Sequence, residues 1–383
     1  MRTPPGYAPL DLQSVLPFAA PHLAGEALEA IEIGDGNLNL VYRVRSATGS
    51  VIVKQALPYL RVAGEGWPLT LDRTRLEAEA MRIHAQHAPG LAPQVLHLDE
   101  TAAAIVMEDL HQHEVWRNAI IAGRDILGVA DTLGRYCART LLGTSRLVMS
   151  AEERRTLLPR FENTALSAIS EELVFTAPYL DTPSNRYDEA AADLAAELRA
   201  DSRMRATAAQ LRWEFRARQE ALIHGDLHTG SVMVRDGDLR VIDVEFATWG
   251  PMGYDTGNVV ANLALARIAR RFGGAGDPVA LDRDAAAFWS AVTDEIGRLW
   301  PRREPWLETF RTGLLVDTAR YASTEMIRRI VGLAHVADVD QLTGGARLRA
   351  QTAAVRGARA LQAAPAVTTF DDVWARCAGE GTR

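Results

Sequence analysis

The chain has 383 residues, of which 48% are hydrophobic, and it carries a formal net charge of −7 at pH 7. This length exceeds one typical small domain and suits two lobes, while the apolar content supports a sizeable core. Acidic and basic residues are intermixed, so the sequence offers no broad basic surface of the kind that binds nucleic acid.

The sequence shows no signal for export or for membrane insertion. No apolar run reaches the roughly 18 residues of a membrane span. The opening MRTPPGYAPLDLQ contains prolines and an acid where a secretory segment would be apolar. Cys137 and Cys377 lie far apart and form no metal-ligand spacing. We therefore expect a reducing, cytoplasmic location.

The first hundred residues show the alternation typical of β-strands. Strands are predicted at 30–33, 40–44 and 51–54. Residues 56–71 are predicted to be irregular, because they contain several glycines and prolines. A helix capped by Asp72 should run to about residue 87. A second hairpin is then predicted, with strands at 95–98 and 105–107.

Beyond residue 110 the chain becomes rich in Ala, Leu, Glu and Arg, which favours helices. Only two short strands near 232–242 are predicted to interrupt them. The sequence therefore predicts the α+β class, with a small antiparallel β-rich lobe at 1–110 and a larger, mainly helical lobe at 111–383.

Residues 223–258 contain the densest group of side chains suited to catalysis. An apolar segment leads into a His-Gly-Asp turn at 224–226, and Asp226 can project its carboxylate from the loop. Asp236-Gly237 is a type I′ hairpin signal between two short strands. We expect His224 to be a structural hydrogen-bonding residue of the loop and leave the role of His228 open.

Two further acids, Asp243 and Glu245, leave the second of these strands. Residues i and i+2 of a strand lie on one side, so both carboxylates are predicted to face one magnesium ion. Phosphoryl transfer needs such a set, with one carboxylate for the attacking hydroxyl and others for metal on the nucleotide phosphates. The alternative is a polar hairpin with solvated acids.

This segment resembles the aminoglycoside-phosphotransferase-like kinases, whose loop reads HGDxHxxN before a metal-binding D-x-D or D-x-E. It is more similar to the methylthioribose kinase family, which shows HGDLHTGS, then acid-x-Glu-Phe-Ala and GPMG. The chain matches these runs, with Ser231 in place of the usual Asn, and Val244 stands where the family often has Pro. The absent Asn shifts one expected metal contact onto Glu245 or water.

The resemblance implies a bilobal, protein-kinase-like fold that uses ATP and Mg²⁺, and it also implies a homodimer. It further implies the reaction of ATP with 5-methylthioribose, which gives ADP and 5-methylthioribose 1-phosphate in methionine salvage.

The candidate nucleotide-binding residues come mostly from the first lobe. Gly34 and Gly36 form a turn that lets backbone approach a phosphate, although a Gly-x-Gly between two strands is by itself more often an ordinary hairpin. Asn37 is placed near the nucleotide by resemblance. Lys54 lies on the strand that carries the phosphate-reading lysine in kinases, and Glu77 on the next helix is predicted to pair with it, in competition with Glu79. An exposed strand lysine and a solvated helix acid are the alternatives.

The resemblance places the adenine-binding hinge at Glu108, Asp109 and Leu110, where the lobes join. A strand end before a helix is the plain alternative. Asp243, Val244 and Glu245 complete the predicted cofactor site.

The candidate acceptor site consists of Asp226, Arg328 and Arg329. Asp226 would act as the catalytic base or orient the acceptor hydroxyl. Adjacent helical residues point about 100° apart, so one arginine would face a cleft and the other a partner. Composition alone favours two cations that complement a helix dipole. The resemblance instead implies that both reach the active site to bind sugar and phosphoryl oxygens.

Two other functions remain open from the sequence. One is a related kinase that acts on choline, homoserine or an aminoglycoside. The other is a nucleotide-binding scaffold without turnover. A protein kinase is disfavoured, because the sequence has no Asp-Phe-Gly and no Ala-Pro-Glu segment.

Overall fold

A computed structural model describes residues 5–33, 38–60, 64–363 and 367–379. The fold is α+β, as predicted, with an antiparallel sheet in the N-terminal region and helices through most of the rest. The sheet ends at Glu108. The division into lobes at 110/111 stays a prediction.

The main sheet has five strands in the order β1-β2-β3-β7-β6, and all neighbours are antiparallel. The strands of this region are β1 Glu29–Glu32, β2 Asn39–Arg45, β3 Ser50–Ala56, β4 Tyr59–Leu60, β5 Gly64–Pro68, β6 Val95–Asp99 and β7 Ala104–Glu108. All five predicted strands are therefore present. The prediction that 56–71 is irregular is wrong, because β4 and β5 pair there as a small ribbon.

Helix α1 is Val15–Ala19 and helix α2 is Arg73–His87. The second confirms the predicted helix, but its predicted cap is absent. The Asp72 side chain accepts no hydrogen bond from the helix backbone. Its two carboxylate oxygens instead accept from Arg75, each at 2.8 Å, so the guanidinium takes the place of the backbone N–H groups.

The remaining helices are α3 Trp116–Ile121, α4 Val129–Gly143, α5 Ala151–Leu157, α6 Thr164–Phe175, α7 Ala192–Ala200, α8 Ser202–Ala217, α9 Met252–Arg271, α10 Pro278–Leu299, α11 Leu307–Val331, α12 Ala337–Asp340, α13 Gly344–Ala363 and α14 Phe370–Cys377. The strands among them are β8 Glu114–Val115, β9 Ala221–Ile223, β10 Val232–Arg235, β11 Asp238–Val241 and β12 Thr248–Gly250. The predicted hairpin is β10–β11, turned at Asp236 (φ 42°) and Gly237 (φ 85°). The prediction that only this hairpin interrupts the helices is wrong, since β8, β9 and β12 also form.

Helix α9 lies at the centre of the helical region and is buried along almost its whole length. It packs side by side with α11, and glycines make this close approach possible. A Cβ on Gly253 would lie 2.4 Å from the Cβ of Asp317, and one on Gly257 would lie 2.9 Å from the backbone N of Ala322. Further along, Asn262 of α9 hydrogen-bonds Glu325 of α11 at 2.9 Å. This packing holds the last turns of α11 against the loop at 224–226.

Within the described ranges, no helix combines the length and the apolar character that crossing a membrane requires. Both cysteines are buried and unpaired.

Candidate active site

One cavity of about 1010 Å³ lies between the sheet and the helices, and predicted residues from both regions line it. Those residues are Lys54, Glu77, Glu108, Asp109, Leu110, Asp226, Asp243, Glu245, Arg328 and Arg329. Val244 does not line it, because its side chain is buried in a hydrophobic cluster beneath the site. Gly34, Gly36 and Asn37 lie outside the described residues.

Lys54 extends from β3 into the cavity between two carboxylates. Its Nζ lies 2.7 Å from Glu77 Oε1 and 2.5 Å from Asp243 Oδ1. Burial disfavours the charged ammonium, but Asp243 and Glu77 outweigh it and hold the pKa of Lys54 above its ordinary value. Glu79, the competing candidate, pairs with Arg75 and Arg160 instead. The lysine is therefore charged and fixed in an extended position.

Asp243 and Glu245 both face the cavity, but not through strand alternation as predicted. Strand β11 ends at Val241, Asp243 adopts a left-handed backbone (φ 67°), and a 3₁₀ turn follows at Val244–Phe246. Side chains alternate between the two faces only while the chain remains in a paired strand, and the pairing of β11 stops before Asp243. The side chain of Asp243 is 54% exposed, so one acid is open to the cavity.

Glu245 is buried and held in place by residues from the sheet region. Its Oε2 accepts from Asn39 Nδ2 at 2.9 Å and lies 3.6 Å from Arg73 Nε. Burial raises the pKa of Glu245, and the carboxylate of Asp243 adds to this although Lys54 opposes it. Burial likewise raises the pKa of Glu77 to about 7. Three acids thus share two cations, Lys54 and Arg73, and burial favours the protonated form of two of these acids, Glu77 and Glu245.

This group of acids bears on metal binding. Among the described residues, no group of three or more His, Cys, Asp or Glu side chains is arranged to hold a metal ion. A cation at Asp243 and Glu245 would therefore need further oxygen ligands from elsewhere, such as nucleotide phosphates or water.

The catalytic loop starts where β9 pairs with β12. Gly225 has φ 84°, and a Cβ there would lie 2.3 Å from the backbone O of Phe246, so only glycine fits. The N–H groups of His224 and Gly225 donate to the buried carboxylate of Asp255 at 2.7 and 3.0 Å. His224 Nε2 lies 3.0 Å from the carbonyl of Ile242. His224 therefore has the predicted structural contacts.

Asp226 lies at the end of this turn, between two arginines and a histidine. Its Oδ1 accepts from Arg328 Nη2 at 2.8 Å and lies 3.5 Å from Arg329 Nη2. Its Oδ2 lies 3.4 Å from His228 Nε2. Burial opposes ionisation, but the hydrogen-bonding contact with His228 and the charges of the two guanidinium groups hold the pKa of Asp226 well below its ordinary value. Burial also lowers the pKa of His228 to about 4, so this ring is neutral at pH 7.

Both arginines are buried, and both contact Asp226, so neither points away to a partner as the 100° argument predicted. The reason is Glu325, which is fully buried one turn earlier on α11. It binds the Nε of Arg328 and accepts from the Nε of Arg329 at 2.7 Å. One carboxylate thus turns two adjacent side chains to the same side. The i, i+3 and i, i+4 spacings were a signal in the sequence that could have identified Glu325.

Other residues of the site gave no local signal. Asn39 and Arg73 reach Glu245 from distant parts of the chain. Arg117 lines the cavity near the loop. The Ser231 hydroxyl donates to the backbone O of Asp226 at 2.8 Å. It therefore braces the catalytic loop and does not line the cavity.

The predicted hinge borders an apolar part of the cavity. Asp109 is committed to the sheet, because its carboxylate accepts from Ser50 Oγ at 2.5 Å and pairs with Arg43 at 2.8 Å. Glu108 Oε2 accepts from the N–H of Gln94 at 3.1 Å. The apolar side chains beside this segment are Ile33, Val41, Ile52, Met107 and Leu110. They form a slot suited to a flat apolar ring.

Comparisons with known proteins identify the family of the chain. The profile of the phosphotransferase enzyme family matches residues 29–306. The chain is 39% identical over 375 residues to the methylthioribose kinase of Yersinia enterocolitica, and 40% identical over 370 residues to that of Pectobacterium atrosepticum; each alignment covers 92% of both chains. Among solved structures, spectinomycin phosphotransferase in complex with ADP and spectinomycin has a TM-score of 0.48 at 12% identity, covering 84% of this chain and 87% of that one. The chain belongs to the phosphotransferase enzyme family and, within it, to the methylthioribose kinases.

Proposed function

From this family membership, we propose that the chain transfers the γ-phosphoryl group of ATP to the anomeric hydroxyl of 5-methylthioribose. The products are ADP and 5-methylthioribose 1-phosphate, in methionine salvage. The observation that carries the proposal is the opening of Lys54, the Asp243–Glu245 acids and the Asp226–arginine group onto one cavity. Phosphoryl transfer needs little covalent help from the protein, so positioning and charge neutralisation provide most of the catalysis.

ATP would bind between the hinge and Lys54. The apolar slot beside the hinge suits adenine, and backbone groups of Glu108 to Leu110 would hydrogen-bond its edge. Lys54, kept extended by Glu77, would bind the phosphates. Its present bond to Asp243 means that a nucleotide must compete with that carboxylate for the ammonium. The turn at Gly34, Gly36 and Asn37 is included in this site by family resemblance.

The residues present fit a magnesium ion. Asp243 offers an open carboxylate and Glu245 a fixed one, and a bound cation would favour the ionised form of both. When bound, magnesium would neutralise phosphate charge and help to align the transferred group. The third acid, Glu77, is already bonded to Lys54.

Asp226 would align the acceptor hydroxyl. Because its pKa is held well below the ordinary value, the carboxylate is a weak base and works by accepting a hydrogen bond before any proton moves. A loose transition state requires little early proton removal, so such a group suffices. Arg328 and Arg329, which already bracket Asp226, would offset charge on the travelling phosphoryl group.

The lobe division at 110/111, a homodimer and a cytoplasmic location belong to this proposal as family expectations. The two free thiols are compatible with a reducing compartment. Sedimentation equilibrium of the full chain tests the dimer, and a single monomeric species would contradict it.

A coupled ADP-release assay with 5-methylthioribose, beside plain ribose, tests the function. We expect turnover with methylthioribose and a sugar 1-phosphate by phosphorus NMR. A phosphorylated choline, homoserine or aminoglycoside, with no sugar 1-phosphate, would refute the substrate. ATP binding without transfer to any acceptor would favour the scaffold. Asp226→Asn should lose most of kcat while it still binds ATP, and near-normal kcat would refute the role of Asp226.

A further inference from the structure

Arg117 is a third guanidinium at the acceptor end of the cavity, and the mechanism above does not use it. It lies on α3, outside the catalytic loop and outside the twin-arginine helix. Its side chain is only 13% exposed, yet it lines the cavity. Burial of a charged guanidinium group is costly, so a buried arginine that faces a cavity is a candidate for ligand binding.

Fixed partners hold this guanidinium. Nε donates to Thr229 Oγ1 at 3.1 Å and lies 3.3 Å from Asp338 Oδ2. Nη2 donates to Asn262 Oδ1 at 2.7 Å. Nη1 has no hydrogen-bond partner in the part of the chain that the structure describes, and it lies against Gly230 in the cavity wall, where an added Cβ would come within 2.8 Å of it. The residue therefore presents one free, pre-oriented donor.

A continuous series of hydrogen bonds connects Arg117 to the acceptor machinery. Asn262, which accepts from Arg117, donates to Glu325 Oε1 at 2.9 Å. The same oxygen accepts from Arg329, whose Nη2 reaches Asp226. Arg117 thus belongs to the acceptor end and not to the Lys54 end.

The charge balance indicates what the free donor binds. Three arginines at this end (117, 328 and 329) pair with three carboxylates (226, 325 and 338), so the charges of these six groups balance one another. A balanced site suits an uncharged polyol better than a permanent anion.

Resting on the proposed function, we infer that Arg117 is an acceptor-binding residue whose Nη1 donates to a ring hydroxyl of the sugar other than the one phosphorylated. Asp338 is its positioning residue. The donor acts on ground-state binding of the acceptor, and so on the KM for the sugar more than on kcat.

Steady-state kinetics of Arg117→Met test this inference. We expect the KM for methylthioribose to rise about 10- to 100-fold, the effect of one hydrogen bond to a charged group, with kcat and the KM for ATP retained. The 2-deoxy and 3-deoxy acceptors identify the hydroxyl. On the analogue that lacks the bound hydroxyl, wild type and variant should have the same kcat/KM, because the contact is absent from both.

Arg139→Met is the matched control, since Arg139 also pairs with a buried carboxylate, Glu295, at 2.6 Å but does not line the cavity. It should leave the KM for the sugar unchanged. If Arg117→Met does not fold, Arg117→Lys is the second variant, because it keeps a positive charge near Asp338 but lacks the forked donors of the guanidinium group. It should show the same rise in the KM for the sugar.

An unchanged KM for the sugar in either folded variant overturns the inference, as does a loss confined to kcat. An equal loss of kcat/KM on the parent sugar and on both deoxy analogues also overturns the inference. These results differ from failure of the proposed function, in which wild type itself does not phosphorylate methylthioribose.

Discussion

Replacement of Glu325 by glutamine tests the most unusual feature of the site, a single buried carboxylate that orients two arginines. The side chain has no exposed surface and binds the Nε of both Arg328 and Arg329. Glutamine keeps the shape but removes the charge. It also turns an N–H donor toward an arginine donor, so one buried contact becomes unfavourable.

The structure sets the size of the effect. Burial opposes ionisation, but Arg328 and Arg329 lower the pKa of Glu325 from 4.5 to about 2. At about 1.4 kcal/mol per pKa unit, ionised Glu325 contributes about 3 kcal/mol to folding. A lowered pKa stabilises the fold fully above the unfolded value, and this stabilisation is lost as pH falls from about 4.5 to about 2. At pH 7 the variant should therefore lose the whole contribution.

Activity should fall further than stability explains. With Glu325 neutral, the two guanidinium groups lose the partner that fixes their Nε atoms and can turn away from Asp226, and a misplacement of about 1 Å can cost about 100-fold in rate. Urea unfolding at pH 7 gives the stability change, and the ADP-release assay gives kcat.

Glu295→Gln provides the matched control. Glu295 is also buried and binds two arginines, Arg139 and Arg298, but it does not line the cavity. It should lose about 1–2 kcal/mol, because Arg298 is largely exposed, and keep its kcat. A Glu325→Gln protein with wild-type stability and kcat would contradict the orienting role of Glu325. Equal loss of kcat in both variants would show that the effect is not specific to the site.

Three further predictions follow from the charged groups. Lys54→Met should raise the KM for ATP at least about 10-fold and leave the KM for the sugar unchanged; unaltered ATP kinetics would remove Lys54 from the nucleotide site. Chelation of magnesium should abolish turnover, and Asp243→Asn should shift the magnesium titration to higher concentrations; an identical titration curve would contradict the metal role. Burial and the neighbouring Asp125 raise the pKa of Asp284 to about 6, so folding loses stability as pH rises from about 4 to about 6. Asp284→Asn should therefore have a Tm above wild type at pH 7.5 but not near pH 4, and a pH-independent difference in Tm would argue against the shift.

The sequence by itself determined the local features of this protein. Local residue patterns predicted the five strands, with clear two-residue alternation at 40–44 and 51–54, and the Asp236-Gly237 pair predicted a hairpin that has positive φ at both residues. The motif at 224–226 and the segment around the lysine of β3 predicted the chemistry, because each of these signals is contained within a few residues. The pairing of Lys54 with Glu77 was also predicted, because in kinases a glutamate on the helix after the lysine strand pairs with that lysine.

Which acid pairs with which cationic side chain depended on the tertiary structure. Asp226 and Arg328 are 102 positions apart, and Asn39 and Glu245 are 206 apart. No periodicity in the sequence extends over such distances. The position of Asp243 depended on where ladder pairing stops, and the direction of both arginines depended on a buried carboxylate. In each case the free-energy cost of burying a charged group is offset by nearby partners of opposite charge or by hydrogen bonds. Only folding brings those partners together.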